Sequence, residues 1–239
     1  MQLPSAWGVV RGEPSQEEDD HVTSDLIVAA AVMGVVAAVG SWWAATSGSA
    51  RLMAVCKPVP MLALLTVAAL LPTDGPRWTV MVALVLGLLG DILLLDPPSG
   101  RPPYPWALPL GIVAFLAGHV TYVAAVVQSP QAAGPFPWAG VVAVSAAALV
   151  GWHQGPRLVR AAGELGLAVV GYQVVILTLA VAAWTRGGWM VALGATFFVL
   201  SDLVLARAMF LARTRWSPPL VMVTYHLAQL LLTIGLLLP

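Results

Sequence analysis

From residue 25 onward the chain is a succession of long apolar runs separated by short polar breaks. A helix that crosses a bilayer needs about 20 predominantly apolar residues, each rising 1.5 Å. By that measure eight runs qualify, at roughly 25–46, 52–72, 78–95, 106–128, 136–153, 164–184, 189–211 and 218–238. The breaks carry turn chemistry: LPTDGP, DPPSGRPPYP, QSPQAAGPFP, HQGPR, TRGG and WSPP. The pattern predicts an all-α membrane protein, a bundle of eight transmembrane helices. Trp42, Trp43, Trp78, Trp106, Trp138, Trp152, Trp184, Trp189 and Trp216 fall at run ends, as expected of a belt where indoles meet lipid headgroups. Glycine and alanine are frequent inside the runs and allow close helix contact.

Composition agrees. Of 239 residues, 59% are hydrophobic and 9% charged, and mean hydropathy is +0.88. Soluble domains carry about 25% charged residues, so a multi-pass protein of the cell membrane is expected. The zero net charge and the lack of a basic patch speak against nucleic acid as a partner. One cysteine, Cys56, precludes an internal disulfide or a multi-cysteine metal site. Residues 1–24 are polar and acidic, without the basic start of a signal peptide. They read as a disordered tail, leaving 25–239 as the transmembrane domain. Arg51, Arg101, Arg157, Arg160, Arg213 and Arg215, with Arg207 nearby, gather at the odd-numbered loops, against Arg11, Arg77 and Arg186 on the other side. The positive-inside rule then puts the odd loops in the cytoplasm and both termini outside.

Within this apolar frame, Asp91 in GLLGDILLL and Asp202 in FVLSDLVLA occupy nearly the same local sequence half a chain apart. An aspartate at a helix centre costs about 3 kcal/mol to insert, so it is expected to be paired or used. Counting residues from the cytoplasmic side puts Lys57 and Asp91 about 8 Å deep, His226 about 12 Å, Asp202 about 14 Å and His119 about 20 Å. Five ionisable groups from five helices in one half of the bilayer suggest a polar cleft facing the cytoplasmic leaflet. Asp91 precedes His119 by 28 residues and Asp202 precedes His226 by 24. Two parallel four-helix repeats would produce that spacing, since four crossings return the chain to the same side.

Paired carboxyl groups suit acid–base work, one serving as proton donor and the other as base or charge stabiliser. The bland alternatives are that Asp91 caps a helix or pairs with a loop arginine and that Asp202 is interhelical glue. Lys57, followed by Pro58 and Pro60, either aims its ammonium into the site from a kinked helix or snorkels to the interface. His119 and Tyr122 lie a turn apart on one helix face, as do Tyr225 and Gln229. They serve substrate and proton transfer, or simply join helices. Ser201 has a carbonyl of its own helix within reach. Tyr172 and Gln173 are weaker candidates, and Cys56 reads as packing. Two His and two Asp could bind zinc, but no HExxH-like spacing is present, so neither metal nor cofactor is expected.

CKPVPM, GDILLL, GHVTY, SDLVLA and YHLAQLL, in that order from about Arg51 to the end of the chain, resemble the YhhN-like lysoplasmalogenase family of eight-span membrane proteins. The resemblance implies hydrolysis of the vinyl ether bond of lysoplasmalogen, a lysophospholipid, to a fatty aldehyde and glycerophospho-ethanolamine or -choline. The two acidic positions proposed as catalytic in that family fall on Asp91 and Asp202. Its motifs also cover Lys57, Gly90, His119, Tyr122, Ser201, Tyr225 and Gln229. The chain departs at His226, where the family usually has a second tyrosine. The rival expectations are a proton-coupled transporter of a small amphiphile and a metal-dependent intramembrane lipid hydrolase.

Overall fold

The computed structural model describes residues 16–95, 104–130, 137–186 and 188–238. Every regular element among them is helical: α1 (Gln16–Ser47), α2 (Ala50–Cys56), α3 (Val59–Leu70), α4 (Arg77–Leu93), α5 (Ala107–Gln128), α6 (Pro137–Ala162), α7 (Gly166–Arg186), α8 (Trp189–Phe210) and α9 (Ser217–Leu237). Among the described residues six helical segments are long and apolar enough to cross a membrane, which makes this a multi-pass membrane protein. The count differs from the expected eight for two local reasons. Helix α4 has only 17 residues. Helices α6 and α7, joined through a single 3-10 turn at Gly163–Leu165, count as one continuous helical segment from Gly140 to Arg186.

Three boundaries depart from the sequence reading. Helix α1 begins at Gln16, inside the stretch expected to be a disordered tail; once a span has nucleated a helix, each further residue adds a hydrogen bond at little cost. Residues 1–15 lie outside the described residues, as do Arg11, Arg101 and most of the two proline-rich breaks at 96–105 and 128–137. HQGPR is not a break: α6 runs through Pro156, so Arg157 and Arg160 sit on a helix. The chain reverses instead at Gly163, whose φ of 56° favours glycine. The expected second span is split into α2 and α3 at Lys57–Pro58, because neither Pro58 nor Pro60 has a backbone N–H for the helical ladder.

Helices α4 and α5 pack as one hairpin and α8 and α9 as another, with α9 also against α1. Glycine lets the backbones meet. A Cβ at Gly194 would lie 2.9 Å from the Leu232 backbone nitrogen, so α8 and α9 touch main chain to main chain. Helix α9 is the most enclosed, burying Tyr225, His226, Gln229 and Leu232. Helix α1 instead exposes Val28, Val32, Val35, Val36 and Trp43, an apolar face suited to lipid. These packings bring the polar residues of α4, α5, α7, α8 and α9 inside the bundle.

Candidate active site

The break at Lys57–Pro58 leaves Lys57 buried against α4 instead of at the interface. Its Nζ lies 3.2 Å from Oδ1 of Asp91 and donates to the Asp91 backbone oxygen at 3.3 Å. The second carboxylate oxygen, Oδ2, accepts from the Tyr225 hydroxyl at 2.8 Å. Gln229, one turn on, donates from Nε2 to the Tyr225 oxygen at 3.2 Å and accepts from the Tyr122 hydroxyl at 2.6 Å. The chain Lys57–Asp91–Tyr225–Gln229–Tyr122 thus ties α4, α5 and α9 to the α2–α3 break. Both oxygens of Asp91 are occupied, and its side chain is 2% exposed.

Asp202 has a different setting. Oδ2 accepts from the Tyr172 hydroxyl of α7 at 3.1 Å and lies 3.3 Å from Nε2 of His119 on α5. Nδ1 of His119 is 2.7 Å from the Phe115 carbonyl oxygen, one turn earlier on the same helix. A carbonyl oxygen only accepts, so Nδ1 carries the hydrogen and Nε2 is the nitrogen turned to Asp202. The Nε2–Oδ2 contact is close but lacks hydrogen-bond alignment. A carboxylate facing a bare nitrogen would repel it, so one proton belongs to the pair, on Asp202 or on Nε2. The Asp202 side chain is 14% exposed, seven times as open as that of Asp91.

That opening leads into a cavity of about 330 Å³ bounded chiefly by α6, α7 and α8, with Ile112 and Phe115 of α5 and Leu94 beyond α4. Helix α6 makes the room. It presents Ala143, Ala146, Ala147, Val150 and Gly151, one helical face of mostly small side chains. The wall is otherwise aliphatic and aromatic, and its polar side chains are Asp202, Tyr172, Gln173 and Thr196, with the indole of Trp184. The arrangement is an apolar enclosure with a carboxyl, a phenol and an amide at one level, the usual composition of a site for a largely hydrocarbon ligand.

Asp91 does not line this cavity. Phe115, which does, stacks edge-on against Tyr225 at 5.9 Å between ring centroids and closes on Gly90. Phe198 lies 4.6 Å from the His119 ring and 5.9 Å from those of Tyr122 and Tyr225. The two carboxyl groups expected around one pocket therefore occupy neighbouring polar clusters, with the Phe198 ring touching both. Each aspartate takes partners across the chain's two halves: Asp91 on α4 holds Tyr225 of α9, and Asp202 on α8 faces His119 of α5.

The remaining candidates divide. Ser201 donates to the Val221 oxygen of α9 at 3.3 Å, joining helices instead of back-bonding to its own. Nδ1 of His226 accepts from the Trp42 indole of α1 at 3.0 Å, so the residue at the family's tyrosine position pins α1 to α9. Trp42, read from sequence as a headgroup anchor, spends its N–H inside the bundle. Cys56 packs its sulfur toward Gly40. Tyr172, a weaker candidate in the sequence, is a direct partner of Asp202; its place near the Gly166 end of an apolar run is the signal that points to it. Phe115 and Phe198 carried none, because an apolar ring on an apolar helix looks like core.

Fold and site define an all-helical, multi-pass membrane protein with a carboxyl–imidazole–phenol cluster opening on an intramembrane apolar cavity. The chain belongs to the YhhN family, whose model matches residues 52–236. It is 31% identical to human lysoplasmalogenase TMEM86B over 198 residues, 82% of this chain and 76% of that protein. Against the Sus scrofa protein of that name it is 30% identical over 156 residues, 64% of this chain, and spans 61% of that protein's length. Against the Rattus norvegicus protein it is 28% identical over 185 residues, 76% of this chain and 71% of that protein. No solved structure matches the chain.

Proposed function

We propose that this protein hydrolyses the vinyl ether bond of lysoplasmalogen within the membrane, with Asp202 as proton donor. The observation that carries the reading is Asp202 at the wall of the apolar cavity, beside His119 and Tyr172. Relatives named lysoplasmalogenase supply the substrate class. A vinyl ether hydrolyses by protonation of the vinyl carbon β to the ether oxygen. The Asp202 carboxyl gives that proton, and the resulting carboxylate stabilises the oxocarbenium ion, as a carboxyl does in glycoside hydrolysis. Water adds to the cation and returns its proton to the Asp202–His119 pair. The hemiacetal then breaks its carbon–oxygen bond to glycerol as the leaving oxygen takes that proton and the hemiacetal hydroxyl gives its own back to the pair, leaving fatty aldehyde and glycerophospho-base. One water is consumed and the pair is restored. His119, held through Nδ1, keeps Nε2 as its only working nitrogen, and Tyr172 orients the carboxyl.

Asp91 serves the same reaction indirectly. Its charge is matched by Lys57 and Tyr225, and it holds the helices that carry His119 and Phe115. Lys57 is engaged there, so a cytoplasmic-end arginine such as the exposed Arg207 is the better phosphate partner. Counting α4 and separating α6 from α7 restores eight spans, with the site toward the cytoplasmic leaflet. The exchanged partners of Asp91 and Asp202 support two four-helix repeats.

The deciding assay incubates detergent-purified protein with lysoplasmalogen, with and without chelator, and measures aldehyde. Release in both arms is the expected result. No aldehyde removes the hydrolase reading, and loss only with chelator replaces acid catalysis by a metal-dependent one.

A further inference from the structure

The cavity does not run freely to the far side of the membrane. Trp184 of α7 crosses its outer end: the indole N–H donates to the Thr196 hydroxyl of α8 at 3.1 Å. On the opposite side the ring sits on Gly140 of α6, where a Cβ would lie 3.2 Å from the ring carbon Cε3. One side chain thus bridges the three helices that form most of the cavity wall. Between this bar and the Asp202–Tyr172 level, the walls facing the space include Ala143 and Ala180. Thr196 precedes Asp202 by six residues, so the bar stands about 9 Å beyond the carboxyl along α8. Only hydrocarbon fits such a space without loss, since a polar group there would find few partners.

We infer that this outer arm is a slot for the hydrocarbon chain of a single-chain ether lipid, and that Trp184 sets the chain length accepted. The inference rests on the proposed hydrolase reading for its substrate but not for its geometry. With the vinyl carbons at Asp202, the chain extends toward Trp184 and the glycerophospho end toward Met209 and Phe210 at the cytoplasmic end of α8. Chain that reaches the bar must fold back or leave between helices, losing burial. Each methylene buried or excluded changes affinity about fourfold, so the selectivity depends steeply on where the bar stands.

Chains that stop short of the bar and chains that pass it are both needed, so the test compares kcat/KM for lysoplasmalogens with hexenyl, octenyl and dodecenyl chains in the wild type, Trp184→Ala and Ala143→Leu. Trp184→Ala is expected to raise the long-to-short ratio about fourfold per methylene newly accommodated, and Ala143→Leu to lower it. A merely structural role would depress all three substrates alike, so an unchanged ratio in both variants overturns the slot. Should Trp184→Ala fail to fold, Trp184→Phe shortens the bar more gently and Ala143→Leu still reports. Binding of saturated alkyl-ether lysophospholipids of the same lengths needs no turnover and separates the two readings. Length-dependent binding shifted by these variants, with no aldehyde from any substrate, supports the slot and removes the hydrolase. Aldehyde release with length-independent binding and rates does the reverse.

Discussion

Lys57 and Asp91 form an ion pair of 3.2 Å between two side chains that are 9% and 2% exposed, joining a proline-broken helix to its neighbour. Neither charge has water to fall back on, and the Tyr225 hydroxyl fills the remaining carboxylate oxygen. Breaking a buried pair from one side strands the other charge, at about 3–5 kcal/mol. Lys57→Met and Asp91→Asn are each expected to lower the melting temperature in detergent sharply. The double variant should recover part of the loss, because two neutral groups remain. If both single variants melt like the wild type, the pair is not a structural tie.

Asp202 predicts the opposite signature. Asp202→Asn removes the transferable proton and should cut aldehyde release by about 10²–10⁴-fold, the usual worth of a general acid, while the melting temperature changes little. Tyr172→Phe removes one hydrogen bond to the carboxyl, worth about 1.5–3 kcal/mol if that group is charged. Its rate loss should therefore be smaller than that of Asp202→Asn. Rates measured beside melting curves check both, and full activity of Asp202→Asn would discard the mechanism.

Gly90 abuts the Phe115 ring, and a Cβ there would lie 2.7 Å from two ring carbons. Phe115 also lines the cavity and supplies the carbonyl that holds His119. Gly90→Ala should push the ring toward the cavity, costing about 1–3 kcal/mol of stability as overpacking does. KM for lysoplasmalogen should rise with it. Gly151, whose added Cβ meets nothing within 4 Å, provides the control: Gly151→Ala should disturb stability far less.

The Trp42–His226 hydrogen bond of 3.0 Å joins α1 to α9 away from the cavity. Trp42→Phe keeps an aromatic ring but removes the donor and should cost about 1 kcal/mol. Thermal melting reads the loss, and the chain-length ratio should stay where it was.

Much of the fold was legible in the order of residues. Apolar runs of bilayer length can only be helices, since lipid leaves backbone groups no other partner. Lys57–Pro58–Val59–Pro60 announced its break because proline lacks the N–H. The longer α6 was not legible: Pro156 looks like a stop from sequence alone, yet α6 continues through it to a turn at Gly163. The site was legible in its costs. Asp91, Asp202, Lys57 and His119 stand out because charge and imidazole are expensive in hydrocarbon.

What the sequence determined by itself was therefore the class of protein and the set of residues too costly to be idle. The tertiary structure decided the pairing: Lys57 with Asp91, His119 and Tyr172 with Asp202, and only the second cluster on the cavity. The physical reason is that insertion cost depends on one residue and its depth, whereas partnership depends on how helices rotate against one another. That rotation is set by glycine contacts and aromatic rings such as Phe115 and Phe198, whose roles have no signature in a chain that is apolar almost throughout.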